Sequence, residues 1–242
     1  MLRKDLRRSE LGPDAFLAKP DFLYDPRREI EAYQILEKLD LGLPTCFDRG
    51  DDWLLLEKVS GVELWQVGEL DPWVKAASWL ANVHSRFNGY VDSTDRLLRY
   101  DAQFFMTWPT RACRRHPQLR RLAMRYDVVV GILCAQPPTL VHGEFYPSNI
   151  LVTAERIAPV DWEMVGIGPG VLDLAALISG WSDVEATAFI SGYGQVSDRA
   201  LAAARLHLAM QWLGWSEEWT PPPEHARDWM TEACAAAETL GI

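Results

Sequence analysis

The chain has 242 residues, 48% of them hydrophobic and 24% charged, enough for one large domain or two lobes with substantial cores. Its net charge of −10 argues against a nucleic-acid partner and leans toward cationic ligands. No apolar run approaches the roughly 18 residues of a membrane span, and the charged start, MLRKDLRRSE, lacks the apolar stretch of a signal peptide. Cys46, Cys113, Cys134 and Cys234 lie far apart with no CxxC pair, which argues against a clustered zinc site. Reduced thiols and a cytoplasmic location are the expectation.

In chain order, AFLAK (15–19) reads as a short strand after the turn Gly12-Pro13-Asp14. Asp25-Pro26 is a helix start, a capping carboxylate followed by proline at the first helical position. The predicted helix runs to about Leu39 with Ala32, Tyr33, Leu36 and Leu39 on one face. Glu29 falls on that apolar face, whereas Glu31 points with Gln34 and Lys38. TCFD (45–48) and WLLLEKV (53–59) make a hairpin around Arg49-Gly50-Asp51, ended by Ser60-Gly61.

From Asp71-Pro72 the pattern is helical, with Trp73, Ala76, Ala77, Leu80 and His84 on one stripe. His84 there reads as a hydrogen-bonded core histidine. A further helix is predicted over 99–134 before the break at Pro137-Pro138, and its arginines (Arg111, Arg114, Arg115, Arg120, Arg121, Arg125) read as a solvated face. LVHGEFYPSNILV (140–152) and RIAPVDW (156–162) form a second hairpin around 153–156. The remainder from about Val171 is helical, interrupted by GYG (192–194) and TPPP (220–223). A strand-rich lobe, residues 1–60, thus precedes a larger helical one, residues 61–242, in an α+β chain.

The second hairpin carries the chemistry. Phosphoryl transfer needs a carboxylate near the attacking hydroxyl, metal ligands near the phosphates and a cation on them. The protein-kinase catalytic loop places its carboxylate and its asparagine five residues apart; here Glu144, in His142-Gly143-Glu144, precedes Asn149 by that spacing. Asp161 ends an apolar strand, where kinases place a Mg²⁺-binding aspartate. Hard oxygen ligands of this kind suit Mg²⁺. No GxGxxG and no Walker sequence occurs, which excludes a P-loop enzyme.

The segment LVHGEFYPSNILV…IAPVDWEMVGIGPGVLDLAAL resembles the signature of the aminoglycoside phosphotransferase and choline kinase-like family, and the likeness extends back through WLANVHSRF and WLLLEKVSGVEL. The resemblance implies a two-lobed protein-kinase-like fold and ATP- and Mg²⁺-dependent phosphorylation of a small-molecule hydroxyl. It implies Mg²⁺ binding by Asn149 and Asp161, Glu144 at the place of the catalytic base, and Asp173 and His142 bracing the loop. Lys19 would be the phosphate-binding lysine, Glu29 its ion-pair partner, and the backbone of Glu57 and Val59 would meet adenine.

Two departures from the family stand out. Glu144 replaces an aspartate, moving the carboxylate by on the order of 1 Å, and we read the loop backbone as compensating. The eighteen residues before Lys19 leave room for about one strand, so the small lobe is expected to be truncated and its phosphate-covering loop reduced or missing, with Lys4, Arg7 and Arg8 as substitutes on the strength of their charge alone. Two functions stay open on this reading: a phosphotransferase acting on an aminoglycoside-, amino alcohol- or nucleoside-like molecule or a peptide Ser/Thr, and a catalytically weak nucleotide-binding pseudokinase serving as a scaffold. Glu163 is a further candidate metal ligand. Trp212, Trp215 and Trp219 with Glu217 and Glu218 are either an acceptor surface or helix packing. The sequence leaves the oligomeric state open.

Overall fold

The computed structural model describes residues 1–7, 19–90, 95–215 and 226–242. The strand expected at 15–18 lies outside the described residues, and Lys19 itself stands in a bend before the 3₁₀ turn Asp21–Leu23. The first strand described is β1, Leu2–Asp5. It is followed by α1 (Pro26–Leu36), β2 (Cys46–Arg49) and β3 (Trp53–Leu56). The three strands form one antiparallel sheet in the order β1-β3-β2, with Lys4 opposite Leu54.

Helix α1 begins as its sequence dictates, with the Asp25 carboxylate accepting from the Arg27 N–H at 2.9 Å and Pro26 in the first turn. Its buried Ile30, Tyr33 and Leu36 pack with Leu54 and Leu56 of β3 in one core. That core also holds Leu140, Trp162, Val165 and Ile167, so the sheet shares hydrophobic contacts with the segments 138–141 and 162–167. Glu31 does not face solvent as its spacing suggested: it is buried, and Arg96 donates to its carboxylate at 3.2 Å. The helix is covered on a second side by the segment carrying Arg96.

Two further small sheets follow. In one, β4 (Val62–Glu63) pairs antiparallel with β7 (Ile150–Val152), which pairs with β8 (Ile157–Pro159). In the other, β9 (Gly166–Pro169) is central, parallel to β5 (Leu98–Arg99) and antiparallel to β6 (Pro138–Val141). GIGP (166–169) is a buried strand. The glycines serve close approach: a side chain at Gly166 would collide with the Tyr100 ring.

Helix α2 (Leu70–Arg86) buries Trp73, Ala76, Ala77, Leu80, Val83 and His84, the stripe its spacing predicts. The single helix expected over 99–134 is instead three: α3 (Ala102–Arg115), α4 (Arg120–Ala123) and α5 (Asp127–Cys134). Pro117 explains the first break, because its ring forces the preceding residue out of helical geometry, and His116 sits at φ −126, ψ 78. The C-terminal part comprises α6 (Val171–Leu177), α7 (Asp183–Ile190), α8 (Asp198–Leu213) and α9 (Trp229–Leu240). Ala203, Ala204 and Ala209 of α8 share a core with Ala233, Ala236 and Ala237 of α9, small residues that let helices approach closely. No helix among the described residues is long and apolar enough to cross a membrane.

One buried group in α8 makes the fold acid-sensitive. His207 lies against Phe104 and Phe105 with one hydrogen bond, Tyr126 Oη to Nδ1 at 2.9 Å, and burial pushes its pKa down to about 3. The unfolded chain therefore takes up this proton at a higher pH than the folded one. Stability should fall as pH drops from about 6.5 toward 3, by up to about 1.4 kcal/mol per pH unit from this group. Urea unfolding at pH 7 and pH 5 should show wild type losing about 2 kcal/mol more than His207→Gln. Equal losses would assign the acid sensitivity elsewhere.

Candidate active site

The loop between β6 and β7 is held from beneath by one carboxylate. Asp173, in the first turn of α6 and 1% exposed, accepts the backbone N–H of His142 at 2.7 Å and of Gly143 at 2.8 Å. Its Oδ2 also lies 3.2 Å from His84 Nε2, while His84 Nδ1 is 2.8 Å from the Tyr193 hydroxyl. His84 is thus the hydrogen-bonded core histidine its position implied. Gly143 takes φ +85, and a side chain there would collide with Tyr100 Oη and the Met164 carbonyl. Tyr100 donates to that same carbonyl at 2.6 Å, tying β5 to the segment after Asp161.

His142 spans the loop. Its Nδ1 accepts the Glu144 N–H at 3.3 Å and its Nε2 donates to the Val160 carbonyl at 3.0 Å, a pattern that assigns the proton to Nε2. Burial lowers its pKa, so the ring stays neutral in this bracing role. Pro147 then starts a 3₁₀ turn that ends on Asn149. Asn149 donates through Nδ2 to the Glu144 carbonyl at 2.9 Å, a bond that does not use Oδ1, the atom that could hold a metal. The Val160 N–H donates to the Asn149 carbonyl at 2.9 Å, bringing Asp161 beside it.

Asp161 has φ +65, the one non-glycine residue with positive φ among the described residues. A left-handed aspartate at a strand end is a strained conformation of the kind retained at functional sites. Trp162, 1% exposed and 4.4 Å from the His142 ring, anchors the chain just beyond it.

The lysine of this site is not the one the sequence pointed to. Lys4 of β1 places Nζ 2.7 Å from Asp161 Oδ1 and 2.7 and 3.0 Å from the two oxygens of Glu29. Lys19, expected as the partner of Glu29, pairs instead with Glu163 at 2.6 Å. The physical reason is register: β1 runs beside β3 and directs Lys4 inward over α1, whereas Lys19 belongs to the bend that enters α1. The signal was present as the alternation Leu2-x-Lys4-x-Leu6, which puts those three residues on one side of an extended chain. The surrounding arginines hid it.

The electrostatics follow from this packing. Burial works against the charge on Lys4, but Asp161 and Glu29 outweigh it and hold the ammonium above its ordinary range. Burial raises Glu29. Asp161 is raised by burial but pulled below its ordinary value by Lys4. Glu144 is pushed up to about 8, first by removal from solvent and then by the Glu163 carboxylate. At that value the carboxyl is mostly protonated at pH 7 and must ionise before it can serve as a base. The guanidinium of Arg28, buried at the start of α1, donates to the carbonyls of Leu23, Arg96 and Glu163, which fixes the backbone of Glu163.

Glu57 and Val59 lie in the segment leading from β3 to β4. The Glu57 N–H is used by Thr45 at 2.8 Å, and its side chain is held by Arg156 at 2.6 Å. The Glu57 carbonyl and the Val59 N–H meet no backbone partner among the described residues. Trp212 and Trp215 turn out to be packing residues. Trp212 donates to the Tyr146 hydroxyl at 2.9 Å and stacks on Trp229, and Trp215 stacks on Trp108. Trp219, Glu217 and Glu218 lie outside the described residues.

A small antiparallel sheet set on a helical body, with a lysine held between a glutamate and a left-handed aspartate, is the arrangement of a kinase-like phosphotransferase. A family model described as "Phosphotransferase enzyme family" matches residues 17–207, and the chain belongs to that family, enzymes that move a phosphoryl group to an alcohol acceptor. Solved structures agree on the fold. A choline/ethanolamine kinase family protein from Mesorhizobium loti matches with TM-score 0.59 at 15% identity, over 89% of this chain and 79% of that one. The choline kinase LicA from Streptococcus pneumoniae matches with TM-score 0.58 at 17% identity, over 90% and 80%. The aminoglycoside phosphotransferase APH(3'')-Id from Streptomyces rimosus, solved with ADP and streptomycin, matches with TM-score 0.61 at 19% identity, over 78% and 82%. A search of curated protein sequences matches none of them.

Proposed function

We propose that the chain transfers the γ-phosphoryl group of ATP, bound with Mg²⁺, to a hydroxyl of a small molecule. The observation that carries the reading is the Lys4 ammonium gripped between Glu29 and the left-handed Asp161. Such a lysine is held at one place for phosphate oxygens, and such an aspartate presents its carboxylate into the cleft. The donor set fits Mg²⁺: Asp161 and Asn149 Oδ1 are hard oxygen ligands. Among the described residues no group of three or more His, Cys, Asp and Glu is placed to hold a metal, so phosphate oxygens would complete the shell. When bound, Mg²⁺ would offset charge on the phosphates.

The chain's own residues do the remaining work. Lys4 binds phosphate and Glu29 keeps it in place. Glu144 orients the acceptor hydroxyl and takes its proton, with the loop held at the right height by His142 and Asp173. The Glu57 carbonyl and Val59 N–H receive adenine. Related proteins of this fold are described as choline kinases or were solved with streptomycin, and a cationic acceptor of the amino alcohol or aminoglycoside kind suits a chain of net charge −10.

Incubation with Mg·ATP and a panel of amino alcohols, aminoglycosides and nucleosides should give acceptor-dependent ADP release. Glu144→Ala should lower it about 10²-fold, the usual worth of a positioned base. The raised Glu144, standing where an aspartate is expected, favours a second reading, a silent nucleotide-binding protein. Thermal stabilisation by Mg·ATP with no ADP release from any acceptor class would select that one.

A further inference from the structure

A cavity of about 230 Å³ adjoins the catalytic loop, lined by three tryptophans and a tyrosine among other residues. One wall is the stretch that joins Glu144 to Asn149, residues 146–148. The facing wall is set by strand pairing. Glu63 of β4 lies opposite Leu151 of β7, so the 3₁₀ turn Leu64–Gln66 comes to rest against the turn that precedes β7. That turn contributes Trp65, and Trp73 of α2 stands behind it. Residues 179–181, just past the end of α6, make the third wall.

The rings are held in place by their own polar atoms. Trp65 is 48% exposed, yet its indole N–H donates to the Glu63 carboxylate. Trp73 is buried, donates to the Val67 carbonyl at 3.1 Å and meets Trp181 edge to face at 4.9 Å. The Tyr146 hydroxyl accepts from Trp212 at 2.9 Å. With these groups engaged by the protein, the rings offer a ligand chiefly hydrocarbon surface. Among the described residues no Asp, Glu, Lys or Arg lines the cavity. Two charges stand behind its walls and are already paired, Glu63 with the Trp65 indole and Arg227 with Glu232. Arg227 also donates to Ser179 Oγ at 3.0 Å, which engages the hydroxyl of that wall. A primary ammonium seated here would give up its water with no carboxylate to replace it. An uncharged ring would gain by leaving water and by stacking.

We propose that this cavity is the acceptor subsite and that it takes an uncharged ring, aromatic or alicyclic, whose alcohol arm is phosphorylated at Glu144. The assignment rests on the phosphotransferase reading above and narrows its acceptor: the net charge of −10 is spread over the chain, and none of it lines this cavity among the described residues. In the transfer the alcohol oxygen bonds to the γ-phosphorus, and the bond from that phosphorus to the β–γ bridging oxygen breaks. The alcohol proton passes to ionised Glu144, and ADP leaves with the bridging oxygen.

Initial rates of ADP release with Mg·ATP and matched acceptors test this. Phenylethanol and cyclohexylmethanol should exceed ethanolamine and streptomycin in kcat/KM by about tenfold or more. The carbon analogue of choline, with a tert-butyl group in place of trimethylammonium, should exceed choline itself. Trp65→Ala should raise the KM for phenylethanol about tenfold with a smaller change in kcat, the pattern of lost ground-state binding. Trp65→Phe should restore most of it, and Trp65→Glu should move the preference toward choline. Choline preferred over its carbon analogue by wild type would make the cavity a cation cage and overturn the proposal. Streptomycin preferred over the ring alcohols, or an unchanged KM in Trp65→Ala, would overturn it too, and all three results leave the phosphotransferase reading intact. Wild type releasing no ADP with any acceptor would remove that reading, and this one with it.

Discussion

Lys4→Met is expected to lower turnover by about 10³-fold, as removal of a preorganised cation from a phosphate site does. The lysine holds Glu29 at 2.7 Å and Asp161 at 2.7 Å, and without it both acids change. Glu29, 1% exposed and already raised by burial, would take up a proton. Asp161 would lose the charge that keeps it below its ordinary value. The damage should be shared with its partner: once Lys4 is methionine, adding Glu29→Gln should cost little more, whereas Glu29→Gln alone should cost heavily. Additive losses in that double-mutant cycle would mean the two do not act as a unit. The same comparison decides between lysines, because a site in which Lys19 served Glu29 would show Lys4→Met close to wild type.

The second large effect is on stability. Asp173→Ala should destabilise the fold by roughly 3–5 kcal/mol, the range for removing one partner of a buried charged network. Two backbone N–H groups, of His142 and Gly143, lose their acceptor, and His84 loses its contact with Asp173. For a chain of this size that corresponds to a drop in Tm of about 10 °C. Asp173→Asn should rescue little, since two donors need two acceptor oxygens and an amide offers one. Because the same carboxylate sets the height of Glu144, Mg·ATP-dependent turnover should fall further than the loss of folded protein explains. An unchanged melting curve in Asp173→Ala would show that the loop is held by something else.

Much of the site was legible because its geometry is local. Asn149 and Asp161 flank the β7–β8 hairpin and Glu144 lies in the loop that enters it, Leu140 and Val141 pairing with β9 instead of with the hairpin, so over this short stretch spacing along the chain translates almost directly into position in space. The Asp25 cap and the stripe on α2 were legible for the same reason. What escaped depends on long-range register. Lys4 reaches Asp161 across 157 positions because β1 pairs with β3, and a charged decapeptide gives little sign of such pairing. The helix over 99–134 was drawn too long because its apolar periodicity carries on past Pro117, whose ring does not permit the backbone to follow. Glu31 escaped because the covering segment comes from 65 residues away.

The tight seat of Tyr100 bears on how an enzyme of this kind acquires new substrates. Its ring and hydroxyl leave no space for even a methyl group at positions 143 and 166, so a mutational library would find those sites closed. Random variation has to enter at positions whose side chains can be exchanged without shifting the loop. Selection could then rework what is phosphorylated while the phosphorylating apparatus stays as it is.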